Sequence, residues 1–191
     1  MTRTQVINLI AKRFDCEKYL EIGCRRNTNF DRINVGNKVG VDPVRGGTIR
    51  TTSDEFFKGN KESYDLVFID GLHHMDQVYR DMTNALAFLN PQGTVVVHDC
   101  NPVSYESQVV PQPRGLREWS GDVWRGFLRL RGERGDLEMF VVDADYGCGV
   151  IRSGKQDLIG KWDVPYAEFV KDKKALLNLL PVEEFIKWLE R

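Results

Sequence analysis

The stretch YDLVFIDG, residues Tyr64–Gly71, decides the fold class of this chain. Four consecutive apolar residues, Leu66–Ile69, are followed directly by Asp70 and a glycine, a pattern typical of a strand buried on both faces of a sheet. Apolar runs of the same kind predict four more strands: KYLEIG (Lys18–Gly23), KVGVD (Lys38–Asp42), the weaker GTIRT (Gly47–Thr51) and TVVVHD (Thr94–Asp99).

Helices are predicted between and around these strands. Apolar residues at helical spacing indicate helices at Arg3–Phe14 and Met75–Leu89, and the turn PQG at 91–93 separates the second of these from the next strand. The alternation of strands and helices predicts an α/β, Rossmann-like, mostly parallel sheet with helices on both faces. Two further helices are expected, one capped at Ser120 or Asp122 and one at Val182–Glu190, and the runs Leu137–Asp143 and Cys148–Arg152 predict an antiparallel strand pair.

The most informative pattern is an acidic residue at the end of four predicted strands. These residues are Glu21, Asp42, Asp70 and Asp99. In parallel sheets, ligands bind beyond the carboxyl ends of the strands. The sequence therefore predicts a ligand site built around these four acids.

Length and charge limit the classes of protein that remain. The chain has 191 residues, which predicts one domain, and 27 basic against 28 acidic residues give a net charge of −1. This balance argues against a nucleic-acid partner, and no apolar run reaches the length of a membrane span. The four cysteines show no paired spacing and the N-terminus has no signal-peptide pattern, so a reduced, cytoplasmic protein is expected.

The first strand is followed by EIGCRRNTNF, which contains one glycine, Gly23. Dinucleotide-binding turns carry several glycines so that the backbone can approach a pyrophosphate, so NAD and FAD are disfavoured. Asp42, at the end of the next strand, suits a ribose diol because one carboxylate accepts hydrogen bonds from both hydroxyls. The pattern predicts an adenosine-containing ligand without a diphosphate.

With these motifs, the sequence resembles the class I S-adenosylmethionine-dependent methyltransferases. It is similar to a small subgroup, including sugar and macrolide O-methyltransferases, with D-G-x-H-H and H-D-C-N-P motifs, here at 70–74 and 98–102. The resemblance implies a seven-stranded sheet with a reversed last hairpin and a core at about 18–152. The stretch 101–135 is then expected to form a substrate lid, and 153–191 a C-terminal helical tail within one domain, 1–191.

The resemblance also implies roles for the residues at the strand ends. S-adenosylmethionine would contact Glu21 and Gly23 with its methionine portion, Asp42 with its ribose, and Ser53 and Asp54 near its adenine. Asp70 would lie beside its amino group.

Transfer of a methyl group to a hydroxyl requires removal of the hydroxyl proton. Histidine titrates near neutrality, so His73 or His74 is the expected base, His73 being preferred for its spacing from Asp70. His98, at the end of a buried strand, is expected to be a packing residue. Asp70 and Asp99 are candidate Mg²⁺ ligands, with His74 or water completing the site. Asp99 is alternatively a cap or a substrate contact.

The resulting hypothesis is methyl transfer to a hydroxyl of a small acceptor, a sugar or glycan. The alternatives are a metal-assisted nucleotide-sugar-modifying enzyme and a non-catalytic binding protein of the same fold. The arginines of 101–135 form either a solvated helix face or a patch for an anionic acceptor. The apolar terminal helices are candidate surfaces for a homodimer.

Overall fold

The chain folds around a seven-stranded sheet in the computed structural model, which describes residues 1–191. The strand order is β2-β1-β3-β4-β6-β5-β7, and β6 alone runs against the others. This confirms the mostly parallel sheet with a reversed last hairpin. The strands are β1 (Lys18–Ile22), β2 (Asn37–Val41), β3 (Tyr64–Ile69), β4 (Leu89–Val97), β5 (Leu137–Val142), β6 (Cys148–Ser153) and β7 (Leu179–Leu180).

Six α-helices cover the sheet, and single 3₁₀ turns lie at Phe30–Arg32 and Glu106–Gln108. Four of the six were predicted, and their observed bounds differ by one or two residues at the ends. The helices are α1 (Arg3–Arg13), α2 (Ser53–Gly59), α3 (Met75–Ala87), α4 (Val123–Glu133), α5 (Tyr166–Leu176) and α6 (Val182–Leu189).

Side chains of β3 alternate between two hydrophobic cores, one on each face of the sheet. Val67 and Ile69 pack with residues of α2, α3, α4 and α5, whereas Leu66 and Phe68 pack with α1 and α6. A strand with helices on both faces has no polar face, which explains the continuous apolar run at its centre. The prediction of helices on both faces is confirmed.

The predicted strand GTIRT is wrong. Residues 47–51 make one isolated bridge, between Val41 and Ile49, because the chain turns back onto β2 and the Thr48 and Ile49 N–H groups both donate to the Gly40 carbonyl. The seventh strand is instead β7, which pairs in parallel with β5. The sheet therefore extends into the predicted C-terminal tail.

Other local details also differ from what the sequence predicts. The PQG segment lies within β4 as an irregularity, since the pairing with β3 passes from Leu89 directly to Thr94. In α1 the buried residues are Val6, Ile7, Ile10 and Ala11. Helix α5 was not predicted, although its Phe169 is fully buried.

The terminal helices α1 and α6 pack against their own sheet. Trp188 of α6 lies 4.9 Å from Phe140, centroid to centroid, and its indole N–H donates to Glu138 at 3.0 Å. Their apolar faces are therefore covered within the chain, and the homodimer remains a prediction without this support. No helix is long and apolar enough to cross a membrane.

Replacing Phe185→Ala tests the packing of α6. Phe185 is fully buried beside Trp188, so we expect a loss of about 3–5 kcal/mol in the free energy of unfolding, measured by urea denaturation. Val170→Ala is the matched control, because Val170 lies on neighbouring α5 with 47% of its surface exposed. Equal stabilities of the two variants would contradict the packing described.

Candidate functional site

Two adjoining cavities open at the carboxyl ends of β1–β4, the edge that the acidic residues predict. The larger has a volume of about 790 Å³ and the smaller about 520 Å³. They share the loop that follows β1, at Gly23 and Arg25, and the loop that follows β3, at Asp70–Leu72. A ligand in one cavity therefore meets a ligand in the other at these two loops.

The turn after β1 depends on a close approach to β3. Gly23 has φ +91°, and a Cβ atom there would lie 2.2 Å from the Asp70 carbonyl oxygen. Arg25 (φ 51°) and Asn27 (φ 60°) adopt the left-handed conformation that glycines favour. Hydrogen bonds hold them: the Arg25 N–H donates to Asp42 at 2.8 Å, and Asn27 Oδ1 accepts from the Gly47 N–H at 2.7 Å.

Asp42 lines the smaller cavity, but its carboxylate is mostly occupied by backbone. Its Oδ1 accepts from Val44 and Arg45 and its Oδ2 from Arg25, all at 2.8–2.9 Å. These bonds outweigh the effect of burial and lower the pKa of Asp42. One of about four acceptor positions is left for a ligand. The binding of ribose hydroxyls by this carboxylate stays a prediction.

Ser53 and Asp54 also line the smaller cavity, and their contact with an adenine stays a prediction. Gln77 of α3, which sequence reasoning missed, joins them: its amide nitrogen lies within hydrogen-bond distance, 3.0–3.2 Å, of oxygen atoms of Ser53, Asp54 and Asp81. Asp81 is buried, and burial raises its pKa to about 6.

The larger cavity ends in a group of three side chains, Asp70, His73 and Asp99. The Nε2 atom of His73 lies 3.3 Å from Asp70 Oδ1 and 3.4 Å from Asp99 Oδ2. Asp99 reaches the group from a left-handed backbone (φ 63°) directly after β4. The strand-end acids Asp70 and Asp99 are therefore brought together, as expected.

His73 is oriented by the loop that precedes α4. Its Nδ1 lies 3.2 Å from the Trp119 carbonyl oxygen, which can only accept, so Nδ1 carries hydrogen and Nε2 faces the two carboxylates. The Trp119 ring also stacks on the imidazole, with centroids 5.2 Å apart. Gly121 approaches so closely that a Cβ atom there would lie 2.0 Å from the His73 carbonyl oxygen.

His74 does not join this group. It begins α3 as the N-cap residue, makes no capping hydrogen bond, and does not line the larger cavity. Asp122 caps α3 in its place, accepting from the Met75 N–H at 2.6 Å. Asp122 was predicted to cap its own helix, α4, but its side chain makes no bond there.

His98 and Asp145 extend the group on the side away from His73. His98 is 2% exposed, and its Nδ1 lies 3.0 Å from Asp99 and 3.4 Å from Asp70, while Nε2 lies 3.6 Å from Asp145. Burial alone would lower the pKa of His98, but these carboxylates raise it well above 6.5. His98 is thus buried, as predicted, yet it is an electrostatic partner of the site acids rather than an apolar packing residue.

Arg3 of α1 also contacts this group of charged side chains, and the sequence analysis did not identify it. Its Nη1 donates to Asp70 Oδ2 at 2.8 Å, and its backbone N–H donates to Asp145 at 2.7 Å. Burial opposes ionisation of Asp70, but His98 and His73 outweigh it and hold the pKa of Asp70 far below its usual range. The pKa of His73 is raised because its bonds to Asp70 and the charge of Asp99 outweigh burial.

Asp70, His73 and Asp99 also form a possible metal-ligand set. Their ligand atoms lie within 4.8 Å of one another. A histidine that donates its other ring N–H to a backbone carbonyl is typical of metal sites, and two carboxylates suit Mg²⁺ or Mn²⁺. The donors therefore fit a divalent cation, with His73 in the position expected for His74 or water. Arg3 and His98 already place positive charge beside the same carboxylates.

Only part of the segment 101–135, the predicted lid, lines the larger cavity. The loop before α4 lines the larger cavity with Gln112 and with 117–119. Helix α4 itself packs into the core, with Trp124 and Phe127 fully buried. Its arginines are held in structural contacts, Arg125 with Asp163, Arg129 with Glu133, Arg131 with Gln156 and Arg134 with Asp136.

Comparisons with known proteins agree with this architecture. Residues 23–100 match the family model of a methyltransferase domain. The structure is similar to the S-adenosylhomocysteine-bound methyltransferase PaMTH1 of Podospora anserina, at 16% identity over 81% of this chain and 80% of that chain (TM-score 0.61). No curated protein matches the chain.

Two further solved structures, both named as O-methyltransferases, share the fold as well. One is a putative caffeoyl-CoA O-methyltransferase from Staphylococcus aureus, 15% identical over 79% of this chain and 82% of that chain (TM-score 0.60). The other is TomG from Streptomyces achromogenes in complex with S-adenosylmethionine, 15% identical over 79% of each chain (TM-score 0.58). The chain therefore has the α/β fold of the S-adenosylmethionine-dependent methyltransferases, and its resemblance to the sugar and macrolide subgroup remains a prediction.

Glu21 gives a test of the electrostatics at this edge. It is 1% exposed, and burial raises its pKa to about 7 although Tyr19 and Asn29 donate hydrogen bonds to it. Between pH 4.5 and 7 the folded chain holds a proton that the unfolded chain has lost, so this group lowers stability as pH rises. Relative to wild type, Glu21→Gln should gain up to roughly 3 kcal/mol across this range.

Urea denaturation at the two ends of this pH range, without ligand, measures the difference. Glu183→Gln, on the exposed surface of α6, is the matched control and should follow the wild type. A constant difference between Glu21→Gln and wild type at both pH values would show that the pKa of Glu21 is not raised.

Proposed function

We propose that this chain transfers the methyl group of S-adenosylmethionine to a hydroxyl of a small polar acceptor, a sugar or glycan. One observation carries the proposal: the two cavities meet beside Asp70, with His73 and Asp99 at the end of the larger one. Methyl transfer requires a cofactor and an acceptor that meet at one point with a proton-accepting or metal-binding group beside it. The Asp70–His73–Asp99 group also favours an enzyme over a binding protein of the same fold.

The smaller cavity is the proposed site of the adenosine portion of the cofactor. Ser53 and Asp54 lie on its adenine side, and the free lone pair of Asp42 accepts one ribose hydroxyl. The methionine portion passes the Gly23 turn toward Glu21 and Asp70, with Arg25 available for its carboxylate. The methyltransferase-domain match and the neighbours holding S-adenosylmethionine or S-adenosylhomocysteine support this assignment.

The sulfonium carbon of the cofactor is already activated, so the protein must orient the acceptor hydroxyl in line with it and remove the proton. Orientation within the closed end of the larger cavity can supply several kcal/mol. His73 lies where its Nε2 can receive that proton, and Asp70 and Asp99 stabilise the resulting imidazolium. A divalent cation held by Asp70, His73 and Asp99 would instead lower the pKa of the acceptor hydroxyl.

The lining of the larger cavity supports a hydroxylated rather than an aromatic acceptor. Four of its 22 lining residues are hydrophobic: Cys24, Leu72, Trp119 and Tyr146. One face of Trp119 is already covered by His73. Apart from Gly23 and Gly71, the remaining lining residues have polar side chains that offer hydrogen bonds, which suits a ligand with several hydroxyls.

Binding of S-adenosylhomocysteine tests the cofactor site. We expect the wild type to bind it in calorimetric titration and its melting temperature to rise with the ligand. Gly23→Ala should weaken binding roughly tenfold or more, because the added Cβ displaces Asp70 and is strained at φ +91°. Gly36→Ala is the control, since a Cβ there meets no atom within 4 Å. No binding by wild type at high micromolar concentration would refute the proposed cofactor.

Binding of Mn²⁺ distinguishes the two roles of His73. If His73 is a metal ligand, wild type binds Mn²⁺ in the presence of S-adenosylhomocysteine, detected by electron paramagnetic resonance of the free ion. His73→Ala and Asp99→Asn would then bind it about 10–100-fold more weakly, and His74→Ala would match the wild type.

No Mn²⁺ binding by wild type at millimolar concentration would refute the metal and leave His73 as the base. In that case the rate at which labelled methyl is transferred to a panel of sugars should be about 10²–10⁴-fold lower for His73→Ala than for the wild type. The affinity of this variant for S-adenosylhomocysteine should be unchanged. Full transfer by His73→Ala would contradict both roles.

A further inference from the structure

The mouth of the larger cavity carries three arginines without an acidic partner. Arg26 follows β1, Arg32 ends the 3₁₀ turn before β2, and Arg117 comes from the loop before α4 on the other side. All three are exposed and line the cavity. None of them makes an ion pair or a side-chain hydrogen bond, whereas Arg3 in the same cavity is bound to Asp70 and Asp145.

The other charged groups of the cavity are already compensated. Asp70, Asp99 and Asp145 lie at the buried end beside Arg3 and His98. Burial keeps the pKa of Glu21 near 7, so part of it is neutral. Arg25 faces both cavities, where the proposed cofactor presents its carboxylate.

Glu118 is the only acidic side chain that shares the exposed part of the lining, and it accepts a hydrogen bond from the Tyr146 hydroxyl at 3.1 Å. Three guanidinium groups against one carboxylate leave a charge of about +2 at the mouth, which complements the charge of about −2 on a phosphate ester. Guanidinium groups bind phosphate oxygens through paired N–H donors.

We infer that the acceptor is a phosphorylated hydroxy compound, whose phosphate binds Arg26, Arg32 and Arg117 while its hydroxyl lies at the Asp70–His73–Asp99 group. The inference rests on the proposed function and specifies its acceptor class. The volume of about 790 Å³ is sufficient for a small phosphorylated sugar. The arginines predicted as an anion patch on 101–135 contribute Arg117 alone, because those of α4 are held in structural contacts.

The preference for a phosphorylated acceptor can be tested by measuring the binding of small probe compounds, without knowing the acceptor itself. The probes are matched sets in three forms, neutral, carboxylate and phosphate: glucose, glucuronate and glucose 6-phosphate; glycerol, glycerate and glycerol 3-phosphate. Each is titrated by ligand-observed NMR into the S-adenosylhomocysteine-saturated wild type. We expect a phosphate form to bind roughly tenfold or more tightly than its neutral counterpart, and more weakly as salt is raised.

Variants locate the bound phosphate. Arg26→Gln, Arg32→Gln and Arg117→Gln should each weaken phosphate-ester binding roughly tenfold and leave S-adenosylhomocysteine affinity unchanged. Arg134→Gln is the matched control, because this arginine is paired with Asp136 on the surface beyond α4. A preference for the carboxylate form, or tighter binding of a short single-stranded RNA than of every phosphate ester, would overturn the inference.

The two proposals fail in different ways. Equal binding of neutral and phosphate forms by a protein that binds S-adenosylhomocysteine would refute the phosphorylated acceptor and leave the methyltransferase proposal intact. Phosphate-ester binding by a protein that does not bind S-adenosylhomocysteine would refute the proposed function itself. Loss of binding in the Arg134→Gln control as well would show that the phosphate does not bind at the cavity mouth.

Discussion

Three carboxylates at one edge of the sheet must be kept close together, and the surrounding structure depends on how their repulsion is offset. Asp70, Asp99 and Asp145 follow different strands, and His98 lies between them with nearly its whole surface buried. The positive charge of His98 offsets part of the negative charge of the three carboxylates. The region has a low dielectric constant, where an unpaired charge is costly. Arg3 offsets the negative charge of Asp70 and Asp145 from the α1 side. Helix α1 is therefore anchored by the same charges that form the site.

This arrangement separates the positive charges by function. Arg3 and His98 contact the acids from within the fold, whereas His73 contacts Asp70 and Asp99 from the cavity side and is oriented by the Trp119 carbonyl. Arg26, Arg32 and Arg117 at the mouth of the cavity make no ion pair. A chain with an almost balanced total charge thus has a buried end in which acids and bases are paired and a basic entrance within a single cavity.

The sequence predicted those features that depend on local pattern and on the geometry of parallel strands. Asp70 and Asp99 were found because each follows a buried strand, and parallel strands end at the same edge. Arg3 was missed, and Asp145 was not assigned to the site, because their contact joins residues 142 positions apart. The two residues of β7 are too few to show a period, and Gly47–Thr51 has β-forming residues but folds back on its neighbour. Left-handed Arg25 and Asn27 show how a turn can keep its shape without the glycines that normally identify it.

The loop before α4 makes two contacts with the segment that carries His73: Gly121 touches the His73 backbone, and Asp122 caps α3. The same loop supplies Arg117 and Trp119 to the cavity. Changes that reshape the entrance for a different acceptor therefore also shift the imidazole. During divergence from a common ancestor, the shape of the cavity entrance and the position of His73 could therefore not change independently.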